Sequence, residues 1–121
     1  MQIKHNEIYV RSKIWLEVAG QPLLGGGRER LLNAVERAGS IRAAAIELGV
    51  SYRRAWSQLR DLENIAPFVV LERTKGGKGG GGARLTAEAK LLLKNYESLV
   101  SGVRAEIDRR FVSQFADSDG G

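Results

Sequence analysis

Between Ser40 and Pro67 two helical patterns, each opened by a serine, meet at a single glycine, and this spacing constrains the fold more than any other feature of the chain. Ser40 is a good N-cap for a short helix whose Ile41, Ala44, Ala45 and Leu48 fall at i, i+3, i+4 and i+7, a full apolar stripe. Only Gly49 and Val50 separate it from Ser51, a second N-cap, and from the helical stretch SYRRAWSQLRDLENIA that Pro67 terminates. Ala43, Ala44 and Ala45 let the two axes approach closely, and Gly49 permits a left-handed backbone at the corner. Helix, short glycine turn, helix is a helix-turn-helix pattern.

The flanking segments complete a small domain. Residues 12–18, SKIWLEV, alternate polar and apolar side chains and predict a half-buried strand, which GQPLLGGG breaks. From Arg28 the spacing of Leu31, Leu32, Val35 and Ala38 predicts a helix that Gly39 stops. After Pro67, FVVLERT (68–74) predicts a strand and ARLT (83–86) its return. Thr86 then opens a long helical pattern in which Leu92, Tyr96, Leu99 and Val103 step like a coiled-coil seam, continued by Ile107 and Phe111. Such a helix is too long for a domain of this size to cover, so these six residues are expected to meet a second copy of the chain. The expected organisation is an N-terminal tail at 1–9, a helix-turn-helix domain at 10–86, a dimerisation helix at 87–115 and a disordered tail at 116–121. The fold class is α+β, mainly α.

Composition bounds the function. Hydrophobic residues make up 43% of 121, enough for one buried core. Nineteen Lys and Arg against fourteen Asp and Glu give a net charge of +5, which favours polyanionic partners. The excess is concentrated between Arg73 and Ala87, where no acid occurs. The absence of cysteine excludes a disulfide scaffold, a thiol nucleophile and a thiolate zinc site. No apolar run approaches membrane-spanning length and the first thirty residues lack a signal-peptide core, so a cytoplasmic protein without membrane contact is expected.

The glycine run TKGGKGGGGAR (74–84) has three readings. A flexible linker disagrees with its strand-like borders and with Lys75, Lys78 and Arg84 in place of serines. A nucleotide cradle can be drawn through Gly77, Gly79 and Gly82, but the βαβ context is missing, and Lys78 is followed by Gly79 rather than the Ser or Thr of a Walker motif. The third reading is the tip of a β-hairpin whose bare backbone lies close to a phosphate-sugar surface while its cations neutralise charge. Positioning rather than sequence readout is its expected task.

A helical projection of residues 52–66 gathers Ala55, Leu59, Leu62 and Ala66 into a core face bordered by Tyr52 and Trp56, with Arg53, Ser57, Arg60 and Asn64 opposite. An isolated polar face of this kind is ordinary solvated surface. Behind a tight corner, arginines in the first turn stand where a recognition helix meets the major groove, and Arg bonds guanine in a bidentate manner. Trp15 and Trp56 are read as packing residues. His5 is the only histidine and lies in the tail, Asp61, Glu63 and Glu72 are dispersed, and Ser51 has no histidine partner, so no catalytic or metal site is expected.

The stretch from Ser40 to Leu93, with S-Y-x-x-A-W at Ser51 to Trp56 and L-E-R-x-x-G-G-K-G-G-G-G-A-x-L-T from Leu71 to Thr86, resembles the N-terminal DNA-binding domain of the ModE molybdate-responsive transcription regulators. That domain is itself similar to the winged helix of LysR-type regulators. The resemblance implies a winged helix-turn-helix, a homodimer joined through the long helix, and binding to a palindromic operator on double-stranded DNA. By motif position the resemblance puts Ser51, Tyr52, Arg53 and Arg54 at the start of the recognition helix and Lys75, Lys78 and Arg84 in or beside the wing; Ser40, Arg42, Ser57, Arg73, Gly76, Gly77 and Gly79 complete the expected DNA-contacting set. The full regulators continue into a molybdate-binding region, for which this chain leaves no room, so no cofactor is expected and the effector is unspecified. The competing expectation is a winged helix that docks another protein rather than DNA.

Overall fold

A computed structural model describes residues 7–77 and 80–115. The elements run β1 (Leu16–Val18), β2 (Gln21–Leu24), α1 (Gly26–Ala38), α2 (Ile41–Leu48), α3 (Tyr52–Ile65), β3 (Leu71–Gly77), β4 (Gly80–Leu85) and α4 (Ala87–Phe115). The loose ends expected at residues 1–6 and 116–121 lie outside the described residues, as do Lys78 and Gly79.

The alternation seen from residue 12 is real, since Ile14, Leu16 and Val18 are half-buried and Lys13, Trp15 and Glu17 exposed. The segment expected to break the strand instead forms its partner. Ala19 and Gly20, both at positive φ, make the two-residue turn of a tight hairpin, and Gln21 pairs with Val18. Pro22 is tolerated because it faces Glu17 beside an irregularity in a sheet of only two strands.

All four helices contribute to the core. Leu32 and Val35 of α1, Leu59 and Leu62 of α3, Leu24 of β2 and Val70 before β3 are the largest fully buried side chains. Helix α1 begins at Gly26, earlier than Arg28, and ends at Gly39 in the left-handed region with φ 84°. Ser40 Oγ accepts from Ala43 N at 3.0 Å and Ser51 Oγ accepts from Arg54 N at 3.0 Å, so both serines cap as their positions predict. Between them Gly49, at φ 70°, turns the chain while Val50 N bonds Ala45 O at 3.0 Å. A side chain at that φ would be strained.

The second hairpin is antiparallel, with Leu71 opposite Leu85, Thr74 opposite Gly82 and Gly77 opposite Gly80. Its first strand starts at Leu71 rather than Phe68, because pairing begins only where Leu85 lies alongside. Its second strand starts within the glycine run, at Gly80. Ala83 N donates to Gly39 O at 2.9 Å, which ties the hairpin to the corner between α1 and α2. Thr86, 6% exposed, donates from Oγ1 to Val69 O at 2.6 Å and accepts from Ala89 N at 3.1 Å, capping α4.

Helix α4 has 29 residues and therefore a length of roughly 43 Å. Ala89, Leu93, Tyr96 and Val100 bury its first half against the domain, and no described residue after Val100 is buried. Tyr96 corrects the expected intermolecular seam: it is 4% exposed within one protomer, and its hydroxyl donates to Ile14 O at 2.7 Å. Leu92 also packs on the protomer core. Leu99 stays 47% exposed, Val103, Ile107 and Phe111 are half-buried, and Phe111 stacks on Phe115 with centroids 4.8 Å apart.

Candidate nucleic-acid interface

Helix α3 divides cleanly. Ala55, Leu59 and Leu62 are buried, while Arg53, Arg54, Ser57 and Arg60 are exposed. Because Ser51 caps the first turn, the side chains of Tyr52, Arg53 and Arg54 leave the helix from a fixed origin. Arg53 and Arg54 form no ion pair among the described residues.

Two aromatic side chains frame this face, contrary to the packing role expected of Trp56. Tyr52 is 42% and Trp56 39% exposed, and each carries an arginine: Arg42 of α2 lies 4.7 Å from the Tyr52 ring centroid, and Arg60 lies 5.2 Å from that of Trp56. Stacking on an aromatic face holds a guanidinium without saturating its hydrogen-bond donors, so both cations are preorganised for an outside acceptor. Arg60 was absent from the expected contact set. The projection already placed it opposite the core, and its i, i+4 spacing from Trp56 was the available signal. Trp15, 48% exposed, is likewise no core residue; its Nε1 donates to Glu17 Oε2 at 2.7 Å.

The hairpin contributes less free charge than its composition promises. Arg73 is engaged by Glu63 of α3 through Nη2–Oε1 at 2.8 Å and Nη1–Oε2 at 3.4 Å. Arg84 Nε meets Glu72 Oε2 at 3.1 Å across the two strands. Glu63 and Glu72 are thus the partners of wing arginines rather than dispersed acids. Lys75 is exposed and unpaired among the described residues, Gly76 and Gly77 continue β3, and the expected contacts at Lys78 and Gly79 lie outside those residues. Ser40 is half-buried with its oxygen used as a cap, and its hydroxyl proton is free to donate.

Gly82 has a structural reason of its own. A Cβ there would lie 2.8 Å from Thr74 Oγ1 and 3.2 Å from Gly39 O, so any larger residue would have to displace the wing or the α1–α2 corner it docks on. No group of three or more potential metal ligands exists among the described residues, and no helix is long and apolar enough to cross a membrane.

Comparison with known proteins agrees with this geometry. Residues 28–90 match the family of bacterial regulatory helix-turn-helix proteins of the lysR type. The transcriptional regulator ModE of Haemophilus influenzae is 46% identical over 72 residues, 60% of this chain and 28% of that protein. The molybdenum-pterin-binding protein MopA of Rhodobacter capsulatus is 38% identical over 91 residues, 75% of this chain and 34% of its own length. The DNA-binding transcriptional dual regulator ModE of Escherichia coli is 34% identical over 92 residues, 76% of this chain and 33% of its own. Among solved structures, ArgP from Mycobacterium tuberculosis aligns with a TM-score of 0.48 and 26% identity, covering 69% of this chain and 30% of that one. The chain spans about a third of the length of the curated relatives it matches. With its capped helix pair, its hairpin locked to the corner between α1 and α2, and the match across residues 28–90, the chain belongs to the lysR family of bacterial regulatory helix-turn-helix proteins.

Proposed function

We propose that this chain is a homodimeric, sequence-specific DNA-binding transcription regulator. The observation that carries the reading is the outward face of α3, where Arg53, Arg54 and Ser57 are exposed directly behind the buried Ala55, Leu59 and Leu62. In this reading the first turn of α3 enters the major groove, where Arg53 and Arg54 read base edges and Arg60, carried on Trp56, adds a cation at the groove wall. Ser40, Arg42 and Tyr52 contact the adjacent backbone. Lys75 and the glycines at the tip lie along the flanking phosphates, with Arg73 and Arg84 setting the wing's shape as much as its charge.

A second copy completes the machine. Val103, Ile107 and Phe111 prolong the stripe that Leu93, Tyr96 and Val100 bury inside the protomer, but remain only half-buried there. Paired along this stretch with Leu99, two chains present two α3 helices to half-sites about one helical turn apart, which corresponds to a palindromic operator. The cytoplasm is the matching location. MopA is by name a molybdenum-pterin-binding protein, and no molybdenum-related effector is proposed for the residues of this chain.

The test is a titration of labelled promoter duplex against random duplex at several salt concentrations. Specific binding is expected to fall with a log-log slope of about −0.9 per phosphate contacted, and Arg53→Ala or Arg54→Ala to cost roughly 1–3 kcal/mol while relaxing base preference. Equal affinity for every duplex would reject the reading in favour of a winged helix that docks protein.

A further inference from the structure

A cavity of about 600 Å³ opens between the β1–β2 hairpin, the start of α1 and the flank of α3. It lies on the side of α3 occupied by Arg54 and Gln58, not the side framed by Trp56 and the wing. Its floor is apolar, made by Leu24, Leu31 and Ala55, all buried. Trp15 forms one wall. The indole is fixed there by its hydrogen bond to Glu17, and its Cβ stands 3.3 Å from where a Cβ on Gly25 would lie.

Four cations line this space and no carboxylate does: Lys13, Arg28, Arg30 and Arg54. Lys13 Nζ sits 6.0 Å from the Trp15 centroid. The Arg30 guanidinium folds back over the helix start, 3.7 Å from a Cβ built on Gly26. Arg28 is the most informative. Its guanidinium donates to Pro22 O at 2.7 Å, Leu23 O at 3.2 Å and Gln58 Oε1 at 3.2 Å, all neutral acceptors, so it is held rigidly at the cavity wall with its charge uncompensated. None of the four forms an ion pair among the described residues.

Arg28 is half-buried and Lys13, Arg30 and Arg54 are exposed, so the four make a positive rim above an apolar floor, a lining that an anion with an apolar body complements. A phosphodiester would answer the charge but waste the floor and the indole wall. We propose that this cavity is a binding site for a small organic anion with a flat apolar body, of the aromatic carboxylate class, its ring against Trp15 and the floor and its carboxylate among Arg28, Lys13 and Arg54. Because Arg54 lines both this cavity and the exposed face of α3, an occupant draws on a cation that duplex DNA would also use.

Binding is testable without DNA, so it stands or falls apart from the proposed function. The full chain is titrated with benzoate, benzyl alcohol and inorganic phosphate while backbone and indole N–H resonances are followed. Benzoate is expected to shift Trp15 Nε1–H and the amides of Gly25 to Arg28 saturably, with benzyl alcohol and phosphate each roughly tenfold weaker or more. The double variant Lys13→Met/Arg54→Met, which alters exposed side chains only, is expected to lower benzoate affinity about tenfold and leave distant resonances in place. No saturable shift with benzoate overturns the proposal. So does phosphate binding as tightly as benzoate, which would make the cavity a seat for the DNA backbone, and so does equal binding of the uncharged alcohol.

Discussion

Arg73 holds Glu63 with two hydrogen bonds, of 2.8 and 3.4 Å, and so fastens the root of the wing to the C-terminal half of α3. Glu63 is the more sheltered partner, its side chain 23% exposed against 45% for Arg73. An ion pair this close to solvent contributes no more than about 0.5–1 kcal/mol to stability. Its larger consequence is alignment. If Arg73 acts as a strut, Glu63→Gln and Arg73→Met are expected to weaken duplex binding by similar small factors, and the double variant by no more than either. A double-mutant cycle on DNA affinity checks this. Were Arg73 a direct phosphate contact, Arg73→Met alone would lower the salt slope by about one unit and Glu63→Gln would leave binding unchanged or stronger.

Two glycines are expected to respond with opposite signs. At Gly82 an added methyl collides with Thr74 Oγ1 at 2.8 Å and approaches Gly39 O at 3.2 Å, and Thr74 is β-branched while Gly39 offers only backbone. Gly82→Ala is therefore expected to destabilise by about 1–3 kcal/mol through displacement of the wing. Gly102 lies inside α4 with nothing within 4 Å of a built Cβ. Gly102→Ala is expected to stabilise by about 0.5–1 kcal/mol, since alanine loses less backbone freedom in a helix. Urea unfolding of both variants checks the pair.

Stability should also respond to acid through two carboxylates with opposite behaviour. Glu36 accepts the backbone N–H of Leu85 at 3.0 Å and pairs with Lys90 at 3.0 Å; chiefly the first, then the second, holds its pKa below the ordinary value. Its contribution is complete above the ordinary carboxylate range and is lost as pH falls through the lowered folded value. Glu29 faces Glu97 between α1 and α4, and burial first, then that neighbour, raise its pKa. The folded state therefore takes up this proton before the unfolded state, and the stability lost to an ionised Glu29 returns as pH falls through the raised value. At neutral pH, Glu36→Gln is expected to lower stability by about 1 kcal/mol and Glu29→Gln to raise Tm by roughly 2 °C. Melts at neutral and acidic pH should show both differences shrinking in acid.

The parts of this molecule that sequence disclosed are those fixed by local chemistry. Ser40, Gly49 and Ser51 act on atoms within a few residues of themselves, so the corner and both helix starts could be placed from spacing alone. The parts that escaped depend on what comes from afar. Trp56 sits at the border of the α3 core face, and whether such a side chain is covered depends on elements the helical projection does not contain. Arg73 and Glu63, ten residues apart, meet only because the wing turns back along α3. The β2 strand was hidden by Pro22, whose tolerance rests on the sheet having no third strand. The cavity beside Trp15 combines residues of the first hairpin, α1, α2 and α3 and leaves no periodic trace in any of them.

The same ambiguity governs α4, where heptad-like steps describe a core stripe and an intermolecular seam equally well. Tyr96 is buried on the first and Ile107 is only half-buried, so substitutions at the two sites should separate folding from association. Tyr96→Phe removes the hydrogen bond to Ile14 O and leaves a half-buried carbonyl short of one partner, an expected loss of about 1 kcal/mol with the oligomeric state unchanged. Ile107→Glu together with Val103→Glu places charge on the half-buried part of the stripe, where no described residue is fully buried, so each protomer should keep its fold. Sedimentation and circular dichroism measured on the same samples check the split. The double variant is expected to run as a folded monomer that has lost most of its affinity for a palindromic duplex yet keeps weak binding to a half-site. A wild-type chain that sediments as a monomer at every concentration would remove the second copy from the proposed function, and with it the requirement for a palindrome.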